Sequence, residues 1–255
     1  VNNNNNNNKN NNKCSKFPNN NNNSPNHKPW RVRPIKQPQP PTLTPFFCYL
    51  QTARTGDVVL FRTRGFQGSV TRTLTWAEND HVAMVIRSGP APCSVMLLEA
   101  IAGRGVNTTC LLEFQIHRWY AQYNGCLVRR IEPPLSEDHT NKLNRFAMAT
   151  KGKKYSLINV MKSPRSDTCH ANNLDDQDIK VQPTYFCSEL VAHGLQHARL
   201  LPPSPKASKY MPGNFERRYN LQLLAGYTFG KEELIDWDDG ITTSTHRIRR
   251  TGCQQ

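Results

Sequence analysis

The most informative part of the sequence is residues 185–191, which read Tyr185-Phe186-Cys187-Ser188-Glu189-Leu190-Val191. Apolar residues recur at helical spacing after Cys187 and prolines close the run, so we predict a helix over 188–200. Cys187 would then face the unpaired amides and the positive dipole end of this helix, and both favour a thiolate. Cys187 is therefore a candidate nucleophile, with a small buried apolar cysteine as the structural alternative.

Upstream of this helix, short apolar runs separated by turns predict five β-strands. The runs are residues 58–61, 81–86, 95–100, 106–114 and 127–131. A helical pattern then opens at Glu137 and stops at Gly152. Residues 63–80 are expected to form a loop with one short helix, and residues 163–183 to form a loop between two helices. Strands first and helices afterwards predict an α+β domain.

Two of the predicted strands carry polar residues suited to catalysis. His81 precedes five apolar residues, and a histidine where a buried strand emerges can act as a general base. The alternative is a half-exposed histidine bonded to a turn carbonyl. Glu99 interrupts an apolar run, where a carboxylate is costly unless paired, and an imidazole would be a suitable partner. A glutamate on an edge strand that faces water is the alternative.

The two ends of the chain differ in composition from the central part. Residues 1–26 are mostly asparagine, and six prolines follow within residues 28–45. Such a polar segment cannot bury enough apolar surface to offset its conformational entropy. We therefore expect a disordered Asn/Pro-rich basic tail at 1–49, one domain at 50–230, and a flexible C-terminal extension at 231–255.

The chain is strongly basic, with 33 Lys+Arg against 19 Asp+Glu and a net charge of +14. The first 49 residues contain seven basic residues and no acid, and Arg247, Arg249 and Arg250 form a second basic end. Such ends can attract nucleic acid or anionic membrane weakly, or they can merely solvate the Asn-rich tail. No apolar run reaches the roughly 18 residues of a membrane-spanning helix, and no signal peptide is recognisable. We expect a cytoplasmic location, with peripheral membrane association as an option.

The cysteine and histidine patterns do not favour a metal site. The eight cysteines are irregularly spaced and no two are separated by two residues, so zinc-knuckle and redox patterns are absent from the sequence. Because we expect a reducing cytosol, disulfides are not predicted. His193 and His197 could share a helix face, but the glutamate of a zinc-protease helix is missing between them. Neither a metal nor a cofactor is expected.

Five motifs occur in a fixed order along the chain. They are Gly56-Asp57-Val58-Val59-Leu60-Phe61, Asp80-His81-Val82-Ala83-Met84-Val85, Leu98-Glu99-Ala100, Gly152-Lys153-Lys154-Tyr155 and Phe186-Cys187-Ser188-Glu189-Leu190-Val191. In this order they resemble the circularly permuted branch of the NlpC superfamily, the YiiX-like proteins with a papain-type fold. The resemblance covers residues 55–202. The histidine precedes the cysteine here, as in the permuted branch.

The resemblance implies a circularly permuted papain-like α+β fold, in which an antiparallel sheet or half-barrel packs against helices. It implies Cys187 as nucleophile, His81 as base and Glu99 as the polar third member. Tyr155 matches a motif tyrosine, for which we expect either a supporting role, donating to the substrate carbonyl, or a packed core position. Asp80 stands where the family commonly has a small residue, so it could raise the pKa of His81 or compete with Glu99 for its proton.

The function that follows is a cysteine hydrolase of the thiol peptidase or amidase type. It would cleave an amide, peptide-like bond or a thioester through a thioacyl-enzyme intermediate. Lipid acyl transfer or acyl hydrolysis, as in relatives of the same superfamily, is an alternative with an acyl-lipid substrate. A catalytically idle binding module and nucleic-acid binding through the basic ends are alternatives from other classes.

Overall fold

A mostly antiparallel seven-stranded sheet lies at the centre of the computed structural model, which describes residues 40–64, 78–156 and 181–238. Its strands are β1 (Thr42–Pro45), β2 (Val58–Thr63), β3 (His81–Arg87), β4 (Val95–Ile101), β5 (Gly105–Cys110), β6 (Tyr123–Glu132) and β9 (Thr228–Asp236). They are arranged in the order β1-β9-β6-β2-β3-β4-β5. A two-stranded parallel sheet pairs β7 (Lys154–Tyr155) with β8 (Thr184–Tyr185). Within the large sheet, β1 and β9 are the parallel pair.

Four α-helices are present in the described residues. They are α1 (Phe46–Thr52), α2 (Leu111–Ile116), α3 (Glu137–Thr150) and α4 (Cys187–His197). Short 3-10 turns lie at Pro92–Ser94, Trp119–Gln122, Ala207–Lys209, Pro212–Phe215 and Arg217–Tyr219. Helix α3 begins after Ser136, whose side chain accepts a hydrogen bond from the His139 amide, and this satisfies one of the unpaired N–H groups of the first turn.

The large sheet is buried on both faces because helices cover each of them. Strand β2 shows this most clearly, since all of its first four residues are buried. Val58 and Leu60 pack into one core with residues of α3 and α4, whereas Val59 and Phe61 pack into a second core with residues of α1 and α2. This division follows from the period of two along a strand. Burial on both faces explains why the central strands read as continuous apolar runs.

The predicted strand over 106–114 is partly wrong. Strand β5 ends at Cys110, and α2 begins at the next residue, Leu111. Leu111 and Phe114 are three residues apart, so on a helix both can point into the second core, where they are buried. The remaining predicted strands correspond to β2, β3, β4 and β6, and the predicted helices correspond to α3 and α4.

The predicted domain boundaries are corrected by β1 and β9. Residues 42–49, assigned to the tail, form β1 and most of α1, in which Phe46 and Tyr49 are buried. Residues 231–236, assigned to the C-terminal extension, belong to β9, which pairs with β6 and supplies the buried Ile235. The sequence pattern did not reveal β9, because only Phe229 and Ile235 of this strand are buried.

Other expectations lie outside the described residues. These concern disorder in residues 1–39, the loops within residues 65–77 and 163–180, and the basic end at 247–250. In the described segments, every helix is too short or too polar to cross a bilayer. Among the described cysteines, Cys48 is disulfide-bonded, which disagrees with the expectation of reduced cysteines. The compartment stays a prediction.

Candidate active site

The fold brings the ends of three elements together. Strand β3 begins at His81, Glu99 lies on the neighbouring strand β4, and Cys187 is the first residue of α4. Helix α4 packs against these strands because its buried face shares a core with apolar residues of β3 and β4, such as Met84 and Leu98. The three predicted catalytic side chains therefore come from segments far apart in sequence.

His81 and Glu99 form a direct, largely buried pair. The His81 Nε2 atom lies 3.0 Å from Glu99 Oε2, and the two side chains are 16% and 4% exposed. A carboxylate this buried needs a partner, and the imidazole provides one. The carboxylate also fixes the orientation of the ring, because it occupies one of the two ring nitrogens. The alternative of a glutamate facing water is thereby excluded for Glu99.

The His81 ring also lies close enough to Cys187 for hydrogen bonding and charge at the sulfur to affect the imidazole. Because Nε2 meets Glu99, Nδ1 is the ring nitrogen left for the sulfur. Burial on its own lowers the pKa of His81, but the hydrogen bonds and negative charges of Cys187 and Glu99 raise it to about 10. An imidazole with this pKa is protonated at neutral pH, so it can hold a thiolate beside it and carry a proton for transfer.

Cys187 is held at a well-defined helix start. Glu189 Oε2 accepts a hydrogen bond from the Phe186 amide at 3.2 Å, and Ser188 Oγ donates to the Tyr210 carbonyl at 2.6 Å. Cys187 is only 2% exposed, so it is buried as in the structural alternative, yet it contacts the imidazole. Cys187 is the first residue of α4, so the positive end of the helix dipole lies next to the sulfur and suits a developing negative charge.

Tyr155 lies close to Cys187. It belongs to β7, which pairs with β8 just before α4, and its ring centroid is 6.0 Å from that of Phe186. Burial and the charge of Cys187 both raise the pKa of Tyr155. The phenol therefore stays protonated and can donate a hydrogen bond at the site. Its ring also packs against the core that contains Phe186, and its supporting role at the site stays a prediction.

Two further residues near this constellation were missed by the sequence reasoning. Thr109 Oγ1 donates to Glu99 Oε1 at 3.1 Å. Tyr123 lies 4.7 Å from Phe61 between ring centroids, and Phe61 lies 5.4 Å from His81. A signal for Thr109 was present, since the turn at 102–104 sets a β4–β5 hairpin that brings residue 109 diagonally opposite residue 99. Nothing in the sequence pattern marks Tyr123.

Asp80 has a role other than the one expected from its position beside the histidine. Its Oδ1 atom accepts hydrogen bonds from the Thr63 amide at 2.9 Å and from Thr63 Oγ1 at 2.8 Å. Its carboxylate thus ties the end of β2 to the start of β3. Glu216 supports the same region, because its Oε1 accepts hydrogen bonds from the amides of Glu78 and Asn79. These contacts fix the chain directly before His81.

His193 and His197, the two histidines considered for a metal site, both pack against Phe146. His193 Nδ1 lies 2.9 Å from the Tyr185 hydroxyl, and its ring packs edge-on against Phe146. Burial, together with the charge of His197, lowers the pKa of His193 to about 4. His193 is half-buried. Over the described ranges, no cluster of three or more potential metal ligands occurs.

One family model matches more than half of the chain. A family model described as "Permuted papain-like amidase enzyme, YaeF/YiiX, C92 family" matches residues 52–218. Among solved structures, the chain is similar to the crystal structure of metalloprotein yiiX from Escherichia coli O157:H7, with 22% sequence identity and a TM-score of 0.41. That match covers 57% of this chain and 66% of the other, just under two thirds of its length. A comparison with curated proteins finds no significant match. The family match confirms the resemblance and the fold class that the motifs predicted.

Proposed function

Because the chain belongs to the permuted papain-like amidase family, a family of cysteine hydrolases, we propose that it cleaves an amide, peptide-like bond or a thioester through a thioacyl intermediate on Cys187. One observation carries this proposal. His81 lies 3.0 Å from the buried Glu99 carboxylate and is influenced by Cys187 at the start of a helix, so a sulfur, an imidazole and a carboxylate are gathered at one place. This is the order of nucleophile, base and orienting group that acyl transfer requires.

In the proposed resting state, His81 is the protonated imidazolium beside Cys187. The raised pKa of His81 supports this state, because it keeps the imidazolium at neutral pH. Glu99 accepts the Nε2–H bond and so keeps Nδ1 directed towards the sulfur. The first turn of α4 contributes a positive dipole end next to the sulfur.

The reaction then follows two half-steps. The Cys187 thiolate attacks the carbonyl carbon, and His81 donates its Nδ1 proton to the leaving group as the C–N or C–S bond breaks. The acyl group remains on the sulfur as a thioester. The neutral imidazole next removes a proton from water, which attacks this thioester, and the released acid leaves the thiolate and the imidazolium restored.

We assign two candidate donors to the oxyanion of the tetrahedral intermediates. The Cys187 backbone N–H at the start of α4 is the first. The Tyr155 hydroxyl is the second, supported by the closeness of its ring to Phe186 and by the effect of the Cys187 charge on its pKa. Removing one donor from an oxyanion hole typically lowers turnover about 100- to 1000-fold.

A peptide-like amide is the first substrate class to test, with an acyl-lipid as the second. The expected electrostatic contact of the basic ends with anionic membrane or nucleic acid concerns residues outside the described ranges and remains a separate proposal. It predicts binding that weakens steeply with salt, and this can be measured without any turnover.

A competition between two cysteines tests the proposed nucleophile. Cys93 is an exposed free thiol, whereas Cys187 is buried. Iodoacetamide at pH 6 should alkylate Cys187 faster than Cys93, because an ordinary thiol is almost fully protonated at that pH. The ratio of alkylated Cys187 peptide to alkylated Cys93 peptide is measured by mass spectrometry.

Matched variants complete this test. His81→Ala should abolish the preference for Cys187, and Cys93→Ala should leave the alkylation rate of Cys187 unchanged. If Cys93 reacts first in the unmodified protein, accessibility alone governs alkylation and the proposed nucleophile is wrong.

A further inference from the structure

We propose that Thr109 is a positioning residue that fixes the Glu99 carboxylate for its contact with His81. The inference rests on the proposed function for its consequence in catalysis, but its structural part stands on the contacts themselves. Thr109 Oγ1 donates to Glu99 Oε1, while Glu99 Oε2 meets His81 Nε2. Each carboxylate oxygen therefore has its own partner, and the polar series continues beyond the three predicted residues.

The sheet register explains how these residues reach one another. Glu99 pairs with Asn107 and Leu97 pairs with Thr109, so Glu99 and Thr109 lie diagonally on one face of the β4–β5 hairpin. The hydrogen-bonded pairing of β4 with β5 sets the backbone positions of Glu99 and Thr109. A threonine at this position has one stiff side-chain torsion, so its hydroxyl is already directed before Glu99 is bound.

The Glu99 carboxylate needs a second hydrogen-bond partner, because the distribution of the last side-chain torsion angle of glutamate, χ3, is broad and roughly two-fold. A single contact with His81 would leave this torsion free to move and Oε1 buried without a partner. Glu99 is only 3% exposed, so water is not an effective substitute for the hydroxyl. Fixing the carboxylate fixes the His81 ring, and the ring in turn holds its proton towards Cys187.

Three variants separate the hydroxyl from the shape of the side chain. Thr109→Val removes the hydroxyl at nearly constant volume, and Thr109→Ser keeps it. Thr108→Val is the matched control, because Thr108 is also half-buried but lies on the opposite face, paired with Leu98. We expect Thr109→Val to slow iodoacetamide alkylation of Cys187 about tenfold. In Thr109→Ser and in Thr108→Val, the alkylation rate of Cys187 should stay within about twofold of the rate in the unmodified protein.

A double-mutant cycle distinguishes positioning from general destabilisation. If Thr109 acts through Glu99, then in a Glu99→Gln background Thr109→Val should slow the alkylation of Cys187 by less than about a further twofold. An equal effect in both backgrounds, or no rescue by serine, would overturn the proposal.

A spectroscopic measurement keeps this proposal separate from the proposed function. A hydrogen bond from His81 Nε2–H to Glu99 should give a downfield, slowly exchanging proton signal in the NMR spectrum. The signal should broaden or disappear in Thr109→Val and persist in Thr109→Ser. An unreactive Cys187 with this pattern intact contradicts the proposed function alone. A signal unchanged in Thr109→Val contradicts the positioning role.

Discussion

Replacing Glu99 with glutamine should lower the pKa of His81. Glutamine keeps the shape of the side chain and can still accept a hydrogen bond, but it removes the negative charge 3.0 Å from Nε2. Two anionic partners raise the pKa of His81 against the effect of burial, and Glu99 is one of them. The imidazolium should therefore lose part of its stabilisation while the fold is retained.

The size of the effect follows from the structure. The pKa of His81 is raised from 6.5 to about 10, which corresponds to about 5 kcal/mol between the two protonation states. An opposite charge at this range typically changes a pKa by about one to three pH units. Glu99→Gln should therefore lower the pKa of His81 by that amount, or about 1.4 to 4 kcal/mol.

The assay is an NMR titration of the histidine rings. His81 is assigned from the signal that disappears in a His81→Asn variant. Glu113→Gln serves as the matched control, because Glu113 is an exposed glutamate on α2. Its replacement should leave the titration of His81 unchanged.

The same linkage predicts a pH dependence of stability. A histidine with a raised pKa contributes stability that is fully present below pH 6.5 and is lost as the pH rises towards 10. The difference in unfolding free energy between the unmodified protein and Glu99→Gln should therefore shrink over this window. A pKa of His81 that is the same in both proteins would refute the assigned role of Glu99.

Three further outcomes are expected elsewhere in the molecule. Tyr155→Phe should reduce turnover of a reactive thioester about 100-fold or more while leaving Cys187 alkylation unchanged, and equal turnover would remove Tyr155 from the oxyanion hole. Burial raises the pKa of Asp57 from 3.8 to about 6, so about 3 kcal/mol of stability should be lost as the pH rises from 4 to 7. Denaturant titrations should show this loss in the unmodified protein and not in Asp57→Asn; the same slope in both would contradict it. Gly105→Ala should destabilise the protein by at least about 1 kcal/mol, because φ is +80° and a Cβ would collide with the Lys153 carbonyl. Thermal unfolding with Gly103→Ala as control, which also has positive φ but open space, isolates the collision; equal losses in both would argue against it.

Much of the fold could be predicted from sequence because the central strands are buried on both faces. Strands such as β2 and β3 appear as uninterrupted apolar runs with turn residues at their ends. One edge of the sheet, formed by β1 and its neighbour β9, could not be found in this way. Strand β1 ends in a proline and β9 contains several half-exposed positions, so their composition resembles that of loops. Only the pairing of β9 with β6 and β1, a long-range contact, makes them strands.

The residues of the candidate site differ in the same way, because some could be recognised in the sequence and others depend on contacts in the folded protein. Cys187, His81 and Glu99 stood out because each is a reactive or charged residue within an apolar run. Thr109 does not stand out by residue type, since threonine is common in strands, and only the register of the β4–β5 hairpin points to it. The contact of Asp80 with Thr63 was likewise hidden, because proximity to His81 in sequence suggested an effect on the imidazole.

The central claim is that Cys187 carries the acyl group, and mass spectrometry of an acyl-enzyme tests it most directly. The protein is mixed with a panel of reactive thioesters and acyl amides, quenched in acid and digested. We predict an acyl mass on the Cys187 peptide in the unmodified protein, and its loss in both Cys187→Ala and His81→Ala. Acylation confined to the exposed Cys93, or turnover that survives Cys187→Ala, would contradict the account.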